Sequence, residues 1–313
     1  MTVCIAALFR FNYSTDPAAP DWGTAVLTAS DRMITAGDVE YEPFQIKMGQ
    51  ITPYVAVLIA GDYTVHSHAI KTIHDRVKGS TSYTPFNIAT MYGSAIQEIQ
   101  KKMAEDSILA PLGLNTDSFL AQQKEMSDQF IANITMQLQD FRGPEVEAII
   151  AGLENNFAHI YTVDQTGSVR SYDDVGFAAI GIGAWHARST LMQARYVNTW
   201  NMAPTLAVTY AAKKSAEIAP GIGSETDIRL IGRHGIVPVW PNVEERLKEI
   251  YEDVRMQTGA IAQQAVKALQ DALNSKEPEK EAIGTGEQLI SSGNSEAPGH
   301  SASEGTHNAA KEK

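Results

Sequence analysis

The sequence predicts a layered α+β fold. Apolar runs of strand length stand at both ends of residues 2–240, and helical patterns come in pairs between the strand sets, not singly after each strand. The chain is 43% hydrophobic and 20% charged, enough apolar side chain for a substantial core. Paired helices between antiparallel strand sets favour a sandwich over a βαβ array.

In chain order, Val3–Phe11 and Thr24–Thr35 are the first two strands, joined by a long hairpin loop through Asp16-Pro17 and Pro20-Asp21. Gln45–Met48 and Tyr54–Ile59 are two more, ended by Gly61-Asp62. Val65, Ala69, Ile73 and Val77 recur every four positions and make a helix, with Gly79 as its stop. Pro85 opens a helical region to about Phe141, in which Pro111 and Gly113 (within Leu109–Asn115) force a break, so two helices are expected. Glu147–Gly152, Ala158–Val163 and Ser168–Tyr172 are strands, the last two joined by a turn at Asp164–Gly167. Phe177–Gly181 leads into a helix from about Trp185, and Asn201 starts another that ends near Pro220. Ile228–Ile231 and Ile236–Val239 close the main domain, residues 2–240. Leu247, Ile250, Val254, Ile261, Val266 and Leu269 then mark amphipathic helix over 241–275. Residues 276–313 hold no aromatic residue and are rich in Ser, Gly, Glu, Lys and Ala; such a segment cannot offset its ordering entropy and is expected to be disordered.

Composition removes several functions. The 25 Lys and Arg against 37 Asp and Glu leave a net charge of −12, which argues against a binder of nucleic-acid backbone. No apolar run is long enough for a membrane span, and no secretory signal is visible at Met1-Thr2-Val3-Cys4. The one cysteine, Cys4, sits in an apolar run, reads as core and fits a cytoplasmic location. Gly181-Ile182-Gly183 begins like a dinucleotide fingerprint, but His186 stands at the third glycine position and no Asp or Glu occurs between Asp174 and Glu217. A tight strand-to-helix turn is the better reading. His66, His68 and His74 share a helix at spacings that make no strong ligand face, and read as a solvated face. No nucleophile elbow, phosphate loop or zinc motif is present.

What remains is Thr2. A threonine hydroxyl alone is a poor nucleophile, but an N-terminal threonine carries its own base in the α-amine. Thr2 follows Met1 directly, and removal of that methionine would expose it. The free amine has a pKa of about 7.7–8.0, near what a general base needs at neutral pH, and a lysine close by lowers it further.

Further segments resemble the proteasome β-type family of N-terminal nucleophile hydrolases, including its bacterial proteasome-like peptidases. Thr2-Val3-Cys4-Ile5-Ala6 resembles the strand led by the catalytic threonine, and Leu27-Thr28-Ala29-Ser30-Asp31-Arg32-Met33-Ile34-Thr35 is similar to the family's L-A-[AS]-D-x-R-x-T strand. In the family the catalytic lysine follows that last threonine by twelve positions; Lys47 follows Thr35 by twelve. The oxyanion glycine comes fourteen further on, and Gly61, in Ala60-Gly61-Asp62, is fourteen past Lys47. Tyr161–Ser168, Ala179–Ala184 and Asp227–Ile231 resemble later family segments. The likeness spans about residues 2–235 and is most specific in the first 62.

The departures point to a divergent, bacterial-type member. Ile182 stands where the family has the serine of G-S-G, and Arg32 directly follows Asp31. The first hairpin is long, and so is the helical insertion at about 103–142. The family's downstream acid and S-G pair fall near Glu217–Ser224 without a gap-free match, leaving Glu217, Ser224 and Glu225 as candidate substitutes.

The resemblance implies a four-layer αββα sandwich and a threonine-type peptidase. In it Thr2 is the nucleophile, Lys47 lowers the amine's pKa, Asp31 holds Lys47, and the Gly61 N–H stabilises the oxyanion. It implies no metal or organic cofactor. It implies peptide or unfolded protein as substrate, a homo-oligomer (ring or helical) and, by analogy, an ATPase partner. A non-catalytic scaffold subunit of the same fold, or an amidase acting on a small amide, would share much of this pattern.

Overall fold

Strands β1 (Cys4–Asn12) and β2 (Trp22–Asp31) are apolar at successive positions because both of their faces are buried. Side chains alternate across a strand, so each face contributes to a different cluster. Val3, Ile5, Ala7 and Phe9 join one core, and Cys4, Ala6 and Leu8 join another. The structure is a computed structural model that describes residues 2–16, 18–36, 39–41, 47–78 and 83–275.

The short strands β3 (Ile34–Ala36) and β4 (Val39–Tyr41) pair with each other. β5 (Met48–Thr52) and β6 (Val55–Gly61) form a hairpin, followed by α1 (Tyr63–Val77) and α2 (Pro85–Ala104). A π turn at Glu105–Leu109 and a 3-10 turn at Ala110–Leu112 lead to α3 (Thr116–Gln122) and α4 (Asp128–Asp140). Next come β7 (Val146–Glu154), β8 (Phe157–Val163), β9 (Val169–Ser171) and β10 (Phe177–Ile180). Helices α5 (Ala184–Gln193) and α6 (Met202–Ala216), strands β11 (Thr226–Gly232) and β12 (Gly235–Pro238), and helix α7 (Pro241–Ser275) complete the described chain.

The fold is mixed α+β with two five-stranded antiparallel sheets. One has the order β10-β1-β2-β11-β12, the other β5-β6-β7-β8-β9. Three clusters account for most buried apolar side chains. The first joins β1, β2 and β10 to α5 and α6. The second joins β6 and β7 to α1 and α2. The third takes Ala6, Val26 and Ile180 from one sheet and Ala56, Leu58, Ile149 and Ile160 from the other. The chain divides into two compact units between Thr258 and Gly259, inside α7. In the first unit Leu247 is buried, and Val243 and Tyr251 pack on the first cluster. In the second, the described helical residues from 259 expose Ile261, Val266, Leu269 and Leu273. No helix among the described residues is long and apolar enough to cross a membrane.

Several boundaries differ from expectation. The second strand ends at Asp31, because its two neighbours in the sheet stop there and Ile34–Ala36 pairs with Val39–Tyr41 instead. The strand expected at Gln45–Met48 starts only at Met48; Gln45 and Ile46 lie outside the described residues, as do Gly79 and the segment 276–313. The helical region breaks at Ala110–Asn115 as Pro111 and Gly113 require, with Gly113 at φ 73°. It breaks again before α4, where Ser127 caps a new helix, so three helices stand where two were expected. His66 is the clearest correction. It is not on a solvated face: the stripe of Val65, Ala69 and Ile73 turns it inward, and it is buried.

Candidate functional site

The pairing of β1 with β2 builds the site. Cys4 sits opposite Ser30, which brings Thr2 and Val3 beside Asp31 at the end of β2. Asp31 N–H donates to the Val3 carbonyl (3.3 Å), and Val3 N–H returns a bond to Asp31 Oδ1 (2.9 Å). Thr2 Oγ1 donates to the same Oδ1 at 2.6 Å. Lys47, just before β5, donates from Nζ to Thr2 Oγ1 (2.7 Å) and to Asp31 Oδ1 and Oδ2 (3.1 and 3.0 Å). The Asp31 side chain is wholly buried, and its Oδ2 also accepts from the backbone amides of Met33 (3.1 Å) and Gly223 (3.2 Å). A carboxylate out of water needs this many donors.

Gly61 ends β6 with φ 103°, in register with Val146. A Cβ there would lie 2.0 Å from the Glu145 carbonyl oxygen, so only glycine fits. Asp62, the next residue, caps α1 by accepting from the amides of Thr64 and Val65 (2.8 and 3.2 Å). Gly61 lines a cavity of about 660 Å³ together with Thr2, Ala60, Glu145, Val146, Glu147, Asp164, Gln165, Thr166, Gly181 and Ile182. Thr2, Asp31 and Lys47 are therefore in mutual hydrogen-bond contact, and Gly61 shares a cavity wall with Thr2.

The Gly181–Gly183 segment is a tight turn, as expected. Gly181 has φ 83°, and its Cβ would meet the Thr2 carbonyl at 2.4 Å. Gly183 N–H donates to that carbonyl (3.3 Å), and Ala184 N–H to the Gly181 carbonyl (3.0 Å). The turn thus grips the backbone of Thr2. Ile182 is half-exposed on the cavity wall. Glu217 lies elsewhere in the network, bound to Lys213 and Lys214. Arg32 pairs with Asp227 at 3.7 Å.

Four contributors escape sequence reading. Glu147 Oε2 accepts from Gly181 N–H (2.8 Å) and so ties β7 to the turn under Thr2. Gly223 donates to Asp31, as noted. Lys213 is buried and donates to the Gly223 carbonyl (2.8 Å). His66 bonds through Nε2 to the Ala60 carbonyl (2.8 Å) and through Nδ1 to Tyr92 Oη (2.5 Å), bracing the strand end that carries Gly61. Only the inward edge of the α1 stripe hinted at His66. Burial lowers its pKa below the usual histidine value. Burial also pushes the Cys4 thiol up to about 12, with the Asp31 charge adding to the shift, so Cys4 is an inert core residue.

Chemically, the arrangement offers a hydroxyl held between a carboxylate and an ammonium, at the wall of an open cavity. While Met1 is attached, the Thr2 nitrogen is an amide and carries no basic lone pair. In comparisons with known proteins, no family model and no curated protein matches the chain.

Proposed function

We propose that the protein is a threonine-type peptidase, an N-terminal nucleophile hydrolase that acts once Met1 has been removed. The observation that carries the reading is Thr2 Oγ1 within 2.7 Å of both Asp31 and Lys47. In the reaction, Thr2 Oγ1 attacks a peptide carbonyl carbon and its proton passes to the Thr2 α-amine. Lys47 keeps that amine unprotonated by its positive charge, and Asp31 holds Lys47 in place. The Gly61 N–H donates to the oxyanion, a role worth roughly 3–4 kcal/mol in comparable donors. The tetrahedral adduct collapses, the amine passes its proton to the leaving nitrogen, and Thr2 is left as an ester. Water, deprotonated by the same amine, releases the acid and restores the hydroxyl.

The fold reading that goes with this is the four-layer αββα sandwich of the proteasome β-type family, bacterial in kind. It is supported by helices α1 and α2 packing on one sheet and α5 and α6 on the other, with the third cluster shared between the sheets. Peptide or unfolded protein is the proposed substrate, in a cytoplasmic homo-oligomer that shields the site, with an ATPase as the proposed feeder. One observation favours a non-catalytic scaffold instead: an isoleucine, Ile182, occupies the cavity wall where the family carries a serine.

Intact mass before and after a threonine-directed covalent inhibitor separates the two. Loss of Met1 and one adduct at Thr2 is the expected result. Retention of Met1 with no adduct sinks the peptidase and leaves the scaffold.

A further inference from the structure

Lys213, on α6, is fully buried, and nothing in the reaction above uses it. Its three N–H donors have three acceptors: Glu217 Oε1 at 2.5 Å, the Gly223 carbonyl at 2.8 Å and the Ser224 carbonyl at 3.0 Å. Lys214 reaches the same Glu217 oxygen (2.8 Å) and the Ser224 carbonyl (3.3 Å). A buried ammonium is costly, and burial lowers the Lys213 pKa, with Glu217 working against the shift. A fold that bears this cost at one position ties down whatever the ammonium holds.

What it holds is the segment that touches the nucleophile's neighbours. Gly223 turns its carbonyl to Lys213 and its N–H to Asp31 Oδ2 (3.2 Å). The adjacent Ile222 fills the space over Gly183, where a Cβ would meet its Cδ1 at 2.3 Å, and Gly183 donates to the Thr2 carbonyl. The segment 222–224 therefore stands between the Lys213 charge and the Asp31 charge, and also presses on the turn that grips Thr2.

We propose that Lys213 is a positioning residue for Thr2: by holding the Gly223 and Ser224 carbonyls it aims the Gly223 N–H at Asp31, which fixes the Thr2 hydroxyl. The proposal rests on the reading of Thr2 as nucleophile. Lys213 does not line the cavity, so its loss alters the geometry of attack and not the binding of a probe.

The test is Lys213→Met in the full-length chain, followed by the threonine-directed probe. The saturating rate constant for adduct formation is expected to fall by up to about 100-fold, the scale of a misplacement near 1 Å. The half-saturating probe concentration and the final stoichiometry of one adduct per chain are expected to stay as in wild type. Hydrogen exchange at the Gly223 amide, which needs no activity, is expected to speed up. Glu217→Gln keeps the lysine, perturbs the fold less, and is expected to slow labelling in the same direction by a smaller factor. A lower final stoichiometry at an unchanged rate constant means Lys213 only supports folding, and overturns the proposal. Unchanged labelling and unchanged Gly223 exchange in both variants overturn it too. A wild-type chain that has lost Met1 and still takes up no probe sinks the nucleophile reading itself, a failure distinct from labelled wild type with indifferent variants.

Discussion

Replacing Asp31 by Asn tests the electrostatics at the centre of the site. The Asp31 side chain is wholly buried and that of Lys47 is 12% exposed, so water screens this pair little. One carboxylate oxygen accepts from Thr2 Oγ1 and the Val3 amide, the other from the Met33 and Gly223 amides, and Lys47 reaches both. Asparagine keeps one acceptor oxygen and puts an NH₂ where the other was. That NH₂ faces donors on one side and leaves Lys47 without its anion on the other. Removing one partner of a buried pair costs about 3–5 kcal/mol. At about 2–4 °C per kcal/mol for a chain of this size, Tm is expected to fall by roughly 6–20 °C. Urea unfolding supplies the free energy directly, through a lower midpoint at unchanged slope. Lys47→Met is expected to cost less, because Asp31 keeps its four other donors. A loss below about 1 kcal/mol for Asp31→Asn, the ceiling of an exposed ion pair, would refute the claim that this charge is buried and dependent on its partners.

Three further outcomes follow from particular residues. Gly61→Ala sets a Cβ 2.0 Å from the Glu145 carbonyl at a φ of 103°, so β6 must part from β7; a fall in stability of about 1–3 kcal/mol and slower probe labelling are expected, read by thermal melting and intact mass. His66 has a folded pKa below its unfolded value, so the unfolded chain takes up the proton first as pH falls. Stability is therefore full above about 6.5 and declines below it, by at most about 1.4 kcal/mol per pH unit from this group, and His66→Gln should flatten that part of a urea-midpoint profile. The Cys4 thiol, with its pKa near 12, is expected to ignore a disulfide reagent at pH 8 in the native protein and to react at once in urea; rapid native reaction would place it outside the core.

Much of the fold was legible because strands and helices announce themselves by period. The apolar runs at Val3–Phe9 and Val55–Ile59, within the segments expected as strands, are buried on both faces, and the four-residue spacing of Val65, Ala69, Ile73 and Val77 marks the buried stripe of α1. Boundaries were less legible where pairing decides them. β2 stops at Asp31 although apolar and β-branched residues continue beyond it, because its partners run out. The break between α3 and α4 depends on Ser127 finding the Phe130 amide, a signal too short to stand out.

The site divides the same way. Thr2 was marked by its chemistry, and Asp31, Lys47 and Gly61 by the resemblance to proteasome β-type segments; all lie within the first 61 residues, on strands and connections that follow one another in the chain. His66, Glu147, Lys213 and Gly223 carry no such mark. Gly223 meets Asp31 across a separation of 192 residues, and Glu147 meets Gly181 across 34. A sequence determines, through alternation and helical period, which face of each element must leave water. It does not say which group from a distant element will stand opposite a given polar atom. For Asp31, Ala60 and the Gly223 carbonyl, that was decided only when packing two sheets and their helices removed water and left each buried charge or carbonyl to find its partner in the protein.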